Sequence, residues 1–577
     1  MTGELSLGSC PTGRGTTRFR VWSTRARRVA IAVYVAEADR TTLVGEHPLA
    51  PQAGGLFEGE LPLAAGALYK VRLDGRLVPD PYARALPFGV HGPAEVVARE
   101  TCPERQAPPL STWVIYELHV GTFTPEGTFA AAAARLTALA ELGVTAIELL
   151  PVAAFSGRRG WGYDGVGLFA PHAAYGTPAE LRALVARAHA LGISVILDVV
   201  YNHFGPDGNY LASYSPEYFA PAWTPWGQAP DFTCPWTRRL VLDNARMWLE
   251  EYGFDGLRLD ATQAIVDPSP VSIVAELAAA AGPKVVIAED GAQDPRTVTE
   301  AGLAAIWADD FHHCVHALVT GERDGYYGEY AGTLAELART IGRGLLYEGQ
   351  PWLYTRRIRG GPAERLPAEA LVYCLQNHDQ VGNRALGERL HHLIEVDVWC
   401  ALSVLLLFLP MTPLLWMGQE WAASSPWQYF TDLPPELGAR VAAGRRAEYR
   451  DFAGFAALAD AIPDPQDART FARSVLRWDE RERPPHRAVL ELYRALLELR
   501  RTDPVLSVPD RSRMVAGTWE GRALWVRRWS AAGERLCVVD LGPAPDVRPP
   551  ASLGGGWAPV LAVRGAAIYA ATRPPVG

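Results

Sequence analysis

At 577 residues the chain is too long for one ordinary hydrophobic core, so two to four domains are expected. Hydrophobic content of 49% with 21% charged residues marks a globular protein. A net charge of −9 without a dense Lys/Arg run argues against a nucleic-acid partner and is compatible with a neutral polar substrate.

The N-terminal stretch MTGELSLGSCPTGRG lacks a basic region and an apolar core, which argues against secretion. Seven scattered Cys without a Cys-x-x-Cys or Cys/His cluster argue against zinc and disulfide frameworks. They read as buried free thiols of a reducing cytoplasm. Up to residue 95, FRVWST, VAIAVYVA and ALYKVRLDG have strand character and predict a small β-sandwich. Residues 96–110, with Pro103, Pro108 and Pro109, read as a linker.

From Trp113 the pattern changes to amphipathic helix, stop, strand: ALAELGVTAIELL, RAHALGISVILDVV, MWLEEYGFDGLRLD. Gly143, Gly192 and Gly253 stand where each helix must end in a left-handed residue. Thr177, Pro178 and Glu180 form a helix-starting capping box, with Leu181, Leu184, Val185, Ala188 and Leu191 on one face. Such repetition predicts a parallel sheet. Its strands are expected near 113–120, 144–150, 194–200, 255–259, 285–288, 304–308, 370–375 and 413–417. Eight strands over this length fit an α/β fold, a (β/α)₈ TIM barrel with insertions over 111–507. No Gly-rich phosphate loop follows the first strand, which disfavours a doubly wound sheet. The apolar run Ala401 to Met417 is broken by Pro410 and Pro413 and is too short to span a membrane, so it reads as a buried helix followed by a barrel strand. A helix near 487–501 closes the barrel. Strand-like pieces from RMVAGTWEG to AAIYAAT then predict a small C-terminal β-domain over 508–577.

Four motifs carry the chemistry: DVVYNH (Asp198 to His203), FDGLRLDA (Phe254 to Ala261), VIAED (Val286 to Asp290) and LQNHDQ (Leu375 to Gln380). Each couples an apolar run to polar groups at its C-terminal end, where barrel active sites form. They deliver Asp260, Glu289 and Asp379, together with Arg258, His203 and His378. Acetal hydrolysis needs one protonated and one ionised carboxyl. Arg258 and Asp260, two apart on a strand, share a face, and a neighbouring cation suits a nucleophile. Glu289 ends the apolar run VVIA, which suits an acid of raised pKa. Taken singly, an ordinary ion pair and a helix-capping Glu account for the same residues.

All four motifs in order, across residues 110–505, resemble the α-amylase superfamily of retaining glycosidases and transglycosylases. The resemblance implies Asp260 as nucleophile, Glu289 as acid/base, and Asp379 as the group that binds and distorts the sugar before the cleaved bond. It implies that His203 and His378 hydrogen-bond that sugar, that Tyr163 of GWGYDGVGLFAP stacks beneath it, and that Asp198 supports Arg258. Within the superfamily, the sandwich and GWGYDGVGLFAPHAAYGTP resemble the glycogen branching enzymes and the maltooligosyltrehalose trehalohydrolases. Two segments, WADDFHHCVHALVTGERDGYY (Trp307 to Tyr327) and SPWQYFTDL (Ser425 to Leu433), favour the trehalohydrolases.

That implies cleavage of the α-1,4 bond next to a terminal trehalose, a maltooligosyltrehalose substrate and a pathway shared with a maltooligosyltrehalose synthase. The Trp307–Tyr327 segment is expected as a loop beyond strand six, its cluster Asp309, Asp310, His312 and His313 facing the mouth. Asp310 and His313 are the expected trehalose contacts. In the aromatic insert Phe204 to Thr237, Trp223 or Trp226 is the expected sugar contact. Gln263 stands where many relatives have His. Asn202 matches a calcium-binding position of many α-amylases, but the rest of such a site is not evident. No metal and no organic cofactor is expected.

Overall fold

The computed structural model describes residues 7–37, 40–103, 105–224, 226–450 and 461–572. Residues 1–6 of the stretch read for a leader, Pro225 of the aromatic insert and the last five residues lie outside these.

Eight parallel strands close into a barrel. They are β1 (Ile115–Leu118), β2 (Ala146–Leu149), β3 (Ser194–Val199), β4 (Gly256–Leu259), β5 (Val285–Ala288), β6 (Ala305–Trp307), β7 (Leu371–Cys374) and β8 (Thr412–Trp416). Each expected strand is present, one or two residues shorter at some ends, and the last is shifted one residue toward the N-terminus. The principal helices around it are α1 (Phe129–Leu142), α2 (Pro178–Ala190), α3 (Pro235–Arg246), α4 (Ile273–Ala281), α5 (Asp309–Thr320), α6 (Val396–Phe408) and α7 (His486–Thr502). The α2 capping box forms as the sequence dictates: Thr177 Oγ1 accepts from the Glu180 amide, and Glu180 accepts from the Thr177 amide at 2.7 Å. Gly143 closes α1 at φ 103°, a conformation that penalises any Cβ. Among the described residues no helix is long and apolar enough to cross a membrane.

One expectation is corrected. The segment after β6 is not a loop but the twelve-residue helix α5, ended by Gly321 at φ 72°. It buries Asp310, His312, His313 and His316 alongside Phe311, Cys314, Val315 and Ala317. A buried face this polar hides the apolar periodicity by which helices are read.

The N-terminal strands form two sheets. One joins Gly8–Pro11, Thr17–Trp22, Leu56–Leu61 and Ala50–Pro51; the other joins Arg40–Pro48, Val29–Glu37, Leu68–Leu73 and Arg76–Val78. They grip the aromatic insert. Trp22 stacks on Trp236 at 5.3 Å and meets Tyr218 edge-on, and Ser23 donates to the Tyr214 carbonyl at 2.6 Å. Within the insert, Phe219–Thr224 and Gly227–Pro230 form a hairpin.

The C-terminal strands make a five-stranded sheet: Met514–Trp519, Ala523–Ser530, Gly533–Val539, Ala566–Ala571 and, at the edge, Trp557–Val563. The edge strand is not legible in the sequence. It contains Pro559 and an irregularity between Pro559 and Leu561, features tolerated only where one side needs no partner.

Candidate active site

The barrel interior changes character from bottom to top. Ile115, Ala146, Ile196, Ile287, Ala305 and Leu414 form an apolar layer. Two residues further along, strand alternation brings Glu117, Glu148, Asp198 and Arg258 onto the same inward face, all buried. Glu117 is in register with Glu148, and Asp198 with Arg258. Above them stand Asp260, Glu289, Asp309 and Asp379.

Arg258 organises this stack. Its Nη1 donates to Asp198 at 2.9 Å and to Asp260 Oδ1 at 2.7 Å, and its Nη2 lies 3.7 Å from Glu289 Oε2. The guanidinium lies over the Trp307 ring at 4.3 Å, which stabilises a desolvated cation. A single buried cation therefore spans the two carboxyls singled out for catalysis. Asn202 Nδ2 donates to Asp260 Oδ2 at 2.7 Å and to its carbonyl at 2.8 Å. The next residue, Ala261, is left-handed at φ 42°, a strained conformation for a residue with a Cβ. Its amide donates to Glu289 Oε2 at 2.6 Å.

Burial pushes the Glu289 carboxyl well above the ordinary range; Arg258 opposes this, while Asp260, Asp379 and Asp309 add to it. A carboxyl raised in this way is suited to donating a proton. Burial likewise raises Asp198 to about 6 against the pull of Arg258. For His378 burial disfavours the charged form, but Asp379 and Glu117 override it and push the imidazole up to about 9. His378 is thus a cation. Its Nδ1 donates to Glu117 at 2.5 Å, and its Nε2 donates to Tyr163 Oη at 2.7 Å. The Tyr163 hydroxyl donates onward to Asp198 at 2.6 Å, and its ring stacks on His378 at 5.1 Å. Asp379 accepts from Asn383 at 3.2 Å and keeps 38% of its side chain open to solvent.

The structure thus brings Asp260, Glu289, Asp379, Arg258, Asp198, Tyr163, His203 and His378 together, and corrects several details. His203 is engaged at both ring nitrogens, by Asn202 Oδ1 and by the Tyr163 carbonyl at 3.0 Å. His378 is also engaged at both. Neither ring has a free nitrogen for the expected sugar bond, because each is buried and must satisfy its polar atoms within the protein.

Asp310 and His313 are not mouth residues. Asp310 is fully buried and accepts from Tyr330 Oη at 2.8 Å, from Arg359 at 3.0 Å and from the Leu346 amide at 2.8 Å. His313 is buried and paired with Tyr330 at 2.9 Å. Both brace α5 against the chain that follows. Trp223 is 77% exposed, whereas Trp226 stacks on His203 at 5.1 Å, so of the pair Trp226 lies beside the site. Asn202, weighed as a metal ligand, instead donates to Asp260. Gln263 accepts from the Gly291 amide at 2.9 Å.

Sequence reasoning missed Glu117, which locks His378 through both the ring and the backbone amide at 3.0 Å. It also missed Glu148, whose two oxygens have no hydrogen-bond partner among the described residues. The only available signal was an acidic residue in an otherwise apolar strand. Beside Asp379 a cavity of about 450 Å³ opens, lined by Tyr326, Tyr354, Gln380, Asn383, Arg384 and Tyr449 among others.

Comparison with known proteins agrees with this architecture. Residues 6–83 match carbohydrate-binding module 48 (isoamylase N-terminal domain), and residues 99–223 match the alpha amylase catalytic domain. The chain is 50% identical over 548 residues to the malto-oligosyltrehalose trehalohydrolase of Deinococcus radiodurans, covering 93% of this chain and 89% of that one. It is 40% identical to the enzyme of that name from Rhizobium sp., covering 89% and 90%. A 1,4-alpha-glucan branching enzyme of Streptomyces coelicolor matches at 35% identity over only 45% of this chain and 37% of its own. A crystal structure of an alpha-amylase-type protein from Salmonella typhimurium superposes with a TM-score of 0.89 at 35% identity, covering 98% and 99% of the two chains. On the near full-length identity to these relatives, the chain belongs to the malto-oligosyltrehalose trehalohydrolase family of the α-amylase superfamily.

Proposed function

We propose that the chain is a retaining glycoside hydrolase that cleaves the α-1,4-glucosidic bond next to the terminal trehalose of maltooligosyltrehalose, releasing trehalose and a maltooligosaccharide. The observation that carries this reading is the Asp260–Arg258–Glu289 bridge, in which one carboxyl is held by charge-assisted donors and burial pushes the other well above the ordinary range. Asp260 attacks the anomeric carbon while Glu289 gives its proton to the departing oxygen of trehalose. The glycosyl–Asp260 ester is then hydrolysed by a water that Glu289, now a carboxylate, deprotonates. Asp379 holds hydroxyls of the reacting sugar, and the charged His378–Tyr163 pair forms its floor. Proton transfer and covalent catalysis by carboxyls supply the chemistry, so no cofactor is required.

The test is product analysis with maltotriosyltrehalose and with maltopentaose. Trehalose and maltotriose should appear from the first, with the new reducing end formed initially as the α-anomer by NMR, and the second should react at least tenfold more slowly. A branching enzyme, the reading favoured by the Streptomyces coelicolor match, would instead introduce α-1,6 linkages into linear glucan. The substrate requires a preceding enzyme that converts a reducing-end α-1,4 bond to α,α-1,1, a maltooligosyltrehalose synthase, and both belong in the cytoplasm. The same reading divides the chain into a sandwich (1–95), a linker (96–110), the catalytic barrel (111–507) and a C-terminal β-domain (508–577).

A further inference from the structure

Asp309 and Asp310 are consecutive in sequence and opposite in environment. Asp310 is saturated by protein donors. Asp309 has one hydrogen bond, from Gln293 Nε2 to its Oδ2 at 3.2 Å, and among the described residues it makes no ion pair. It is the first residue of α5, separated from the end of β6 by Ala308 alone, so it stands at the rim between Glu289 after β5 and Asp379 after β7.

Its holder is unusual. Gln293 is completely buried and left-handed at φ 54°. Its Nε2 reaches the Asp290 carbonyl at 3.2 Å, the Trp307 carbonyl at 2.8 Å and Asp309, while its Oε1 has no partner. Backbone strain and an orphaned buried amide oxygen are uncommon and collect at functional sites. Here both serve to fix the end of β6 and the side chain that follows it.

The two sides of the scissile bond are divided among the strands. The residues assigned to the donor sugar come from the ends of β2, β3, β4 and β7: Tyr163, His203, Asp260, His378 and Asp379. Glu289, which must meet the leaving oxygen, follows β5. The remaining acid on the acid's side of the mouth is Asp309.

We infer that Asp309 binds the leaving group, its open carboxyl oxygen hydrogen-bonding a hydroxyl of the glucose unit expelled from the cleaved bond. This rests on the function proposed above and names the residue of the Trp307–Tyr327 segment that meets the substrate. Its protonation suits the role. Burial raises Asp309 to about 7 against Arg359, with Asp379 and Asp310 adding to the rise. Near neutral pH such a group donates as well as accepts, so it can pair with a hydroxyl in either sense.

The experiment compares Asp309→Ala and Asp309→Asn with the wild type on two substrates. Maltotriosyltrehalose has a sugar leaving group. α-Maltosyl fluoride has none and needs no acid. Asp309→Ala should lower kcat/KM for maltotriosyltrehalose tenfold or more and raise the inhibition constant of trehalose in parallel, while fluoride hydrolysis stays within about twofold. An equal loss on the fluoride, or unchanged kcat/KM on the trehalose substrate, overturns the assignment. Asp309→Asn keeps the shape and carries the same test if the Ala variant folds poorly. If the wild type does not prefer maltotriosyltrehalose to maltopentaose, the function reading fails instead. The fluoride comparison against whichever oligosaccharide is cleaved then still decides the role of Asp309.

Discussion

The wall of the mouth around Asp260 and the wall around Glu289 and Asp309 are built on opposite principles. Around Asp260, donors are in excess: Arg258 and Asn202 each take one oxygen, and Arg258 is itself fixed by Asp198 and Trp307. Such charge-assisted bonds set a carboxylate in one orientation. Around Glu289 and Asp309, donors are scarce and acids are close together. The side chain of each has one hydrogen bond, from the Ala261 amide and from Gln293 respectively, and burial pushes both carboxyls up from the ordinary range. On the proposed mechanism, two carboxyls on neighbouring strands divide nucleophilic and acid work through their surroundings, since their own chemistry is nearly the same.

Three substitutions break or sharpen this contrast. Asp260→Asn keeps the shape and the Asn202 and Arg258 neighbours but removes the nucleophile. Activity on every substrate should fall by about 10⁴-fold or more with an unchanged unfolding temperature. Near-normal turnover of the folded variant in a steady-state assay would remove Asp260 from the mechanism.

Glu289→Gln removes only the proton on the other wall. Turnover of maltotriosyltrehalose should drop about 10²–10⁴-fold, the usual worth of a general acid. The first step with α-maltosyl fluoride, read as a burst of fluoride, should be much less affected. In the wild type, kcat/KM for the sugar substrate should decline as pH rises through the raised pKa of Glu289, and this alkaline limb should be missing in the variant. Equal losses on both substrates would place Glu289 outside the acid role.

The smallest effect comes from beneath both walls. Burial raises Glu148 well above the usual carboxylate range, with Glu117 and Asp198 adding to the rise. The sign follows from linkage. Between its unfolded and folded pKa values the folded state binds more protons, so the associated stability is complete below the unfolded value and is lost as pH rises toward the folded one. Glu148→Gln, neutral at every pH, should leave the melting temperature unchanged at pH 4.5 and raise it by about 2–4 °C at pH 8. A calorimetric difference that is the same at both pH values would show that Glu148 is not carrying the proton.

Much of this was legible in the sequence because it is local. Eight strands could be placed from apolar runs flanked by helix stops. The α2 capping box needs only residues three apart, and Arg258 and Asp260 share a face by strand alternation alone. The motifs at the strand ends named the three acids because each lies within one short segment.

What the sequence could not decide depends on contacts between distant segments. Glu117 and His378 are 261 residues apart, and only barrel closure puts them in hydrogen-bond reach. Asp309 and Asp310 are equivalent as letters, yet a single residue step around a helix, about 100°, aims one at Arg359 and Tyr330 and leaves the other at the mouth. The edge strand at Trp557–Val563 exists because a neighbour offers it a ladder, against its own Pro559. By itself the sequence determined the kind of fold, the order of its strands and which acids stand at the strand ends. The tertiary structure alone decided which polar groups are saturated and which remain open. That outcome depends on burial and on donors arriving from elsewhere in the chain, and no local pattern encodes it.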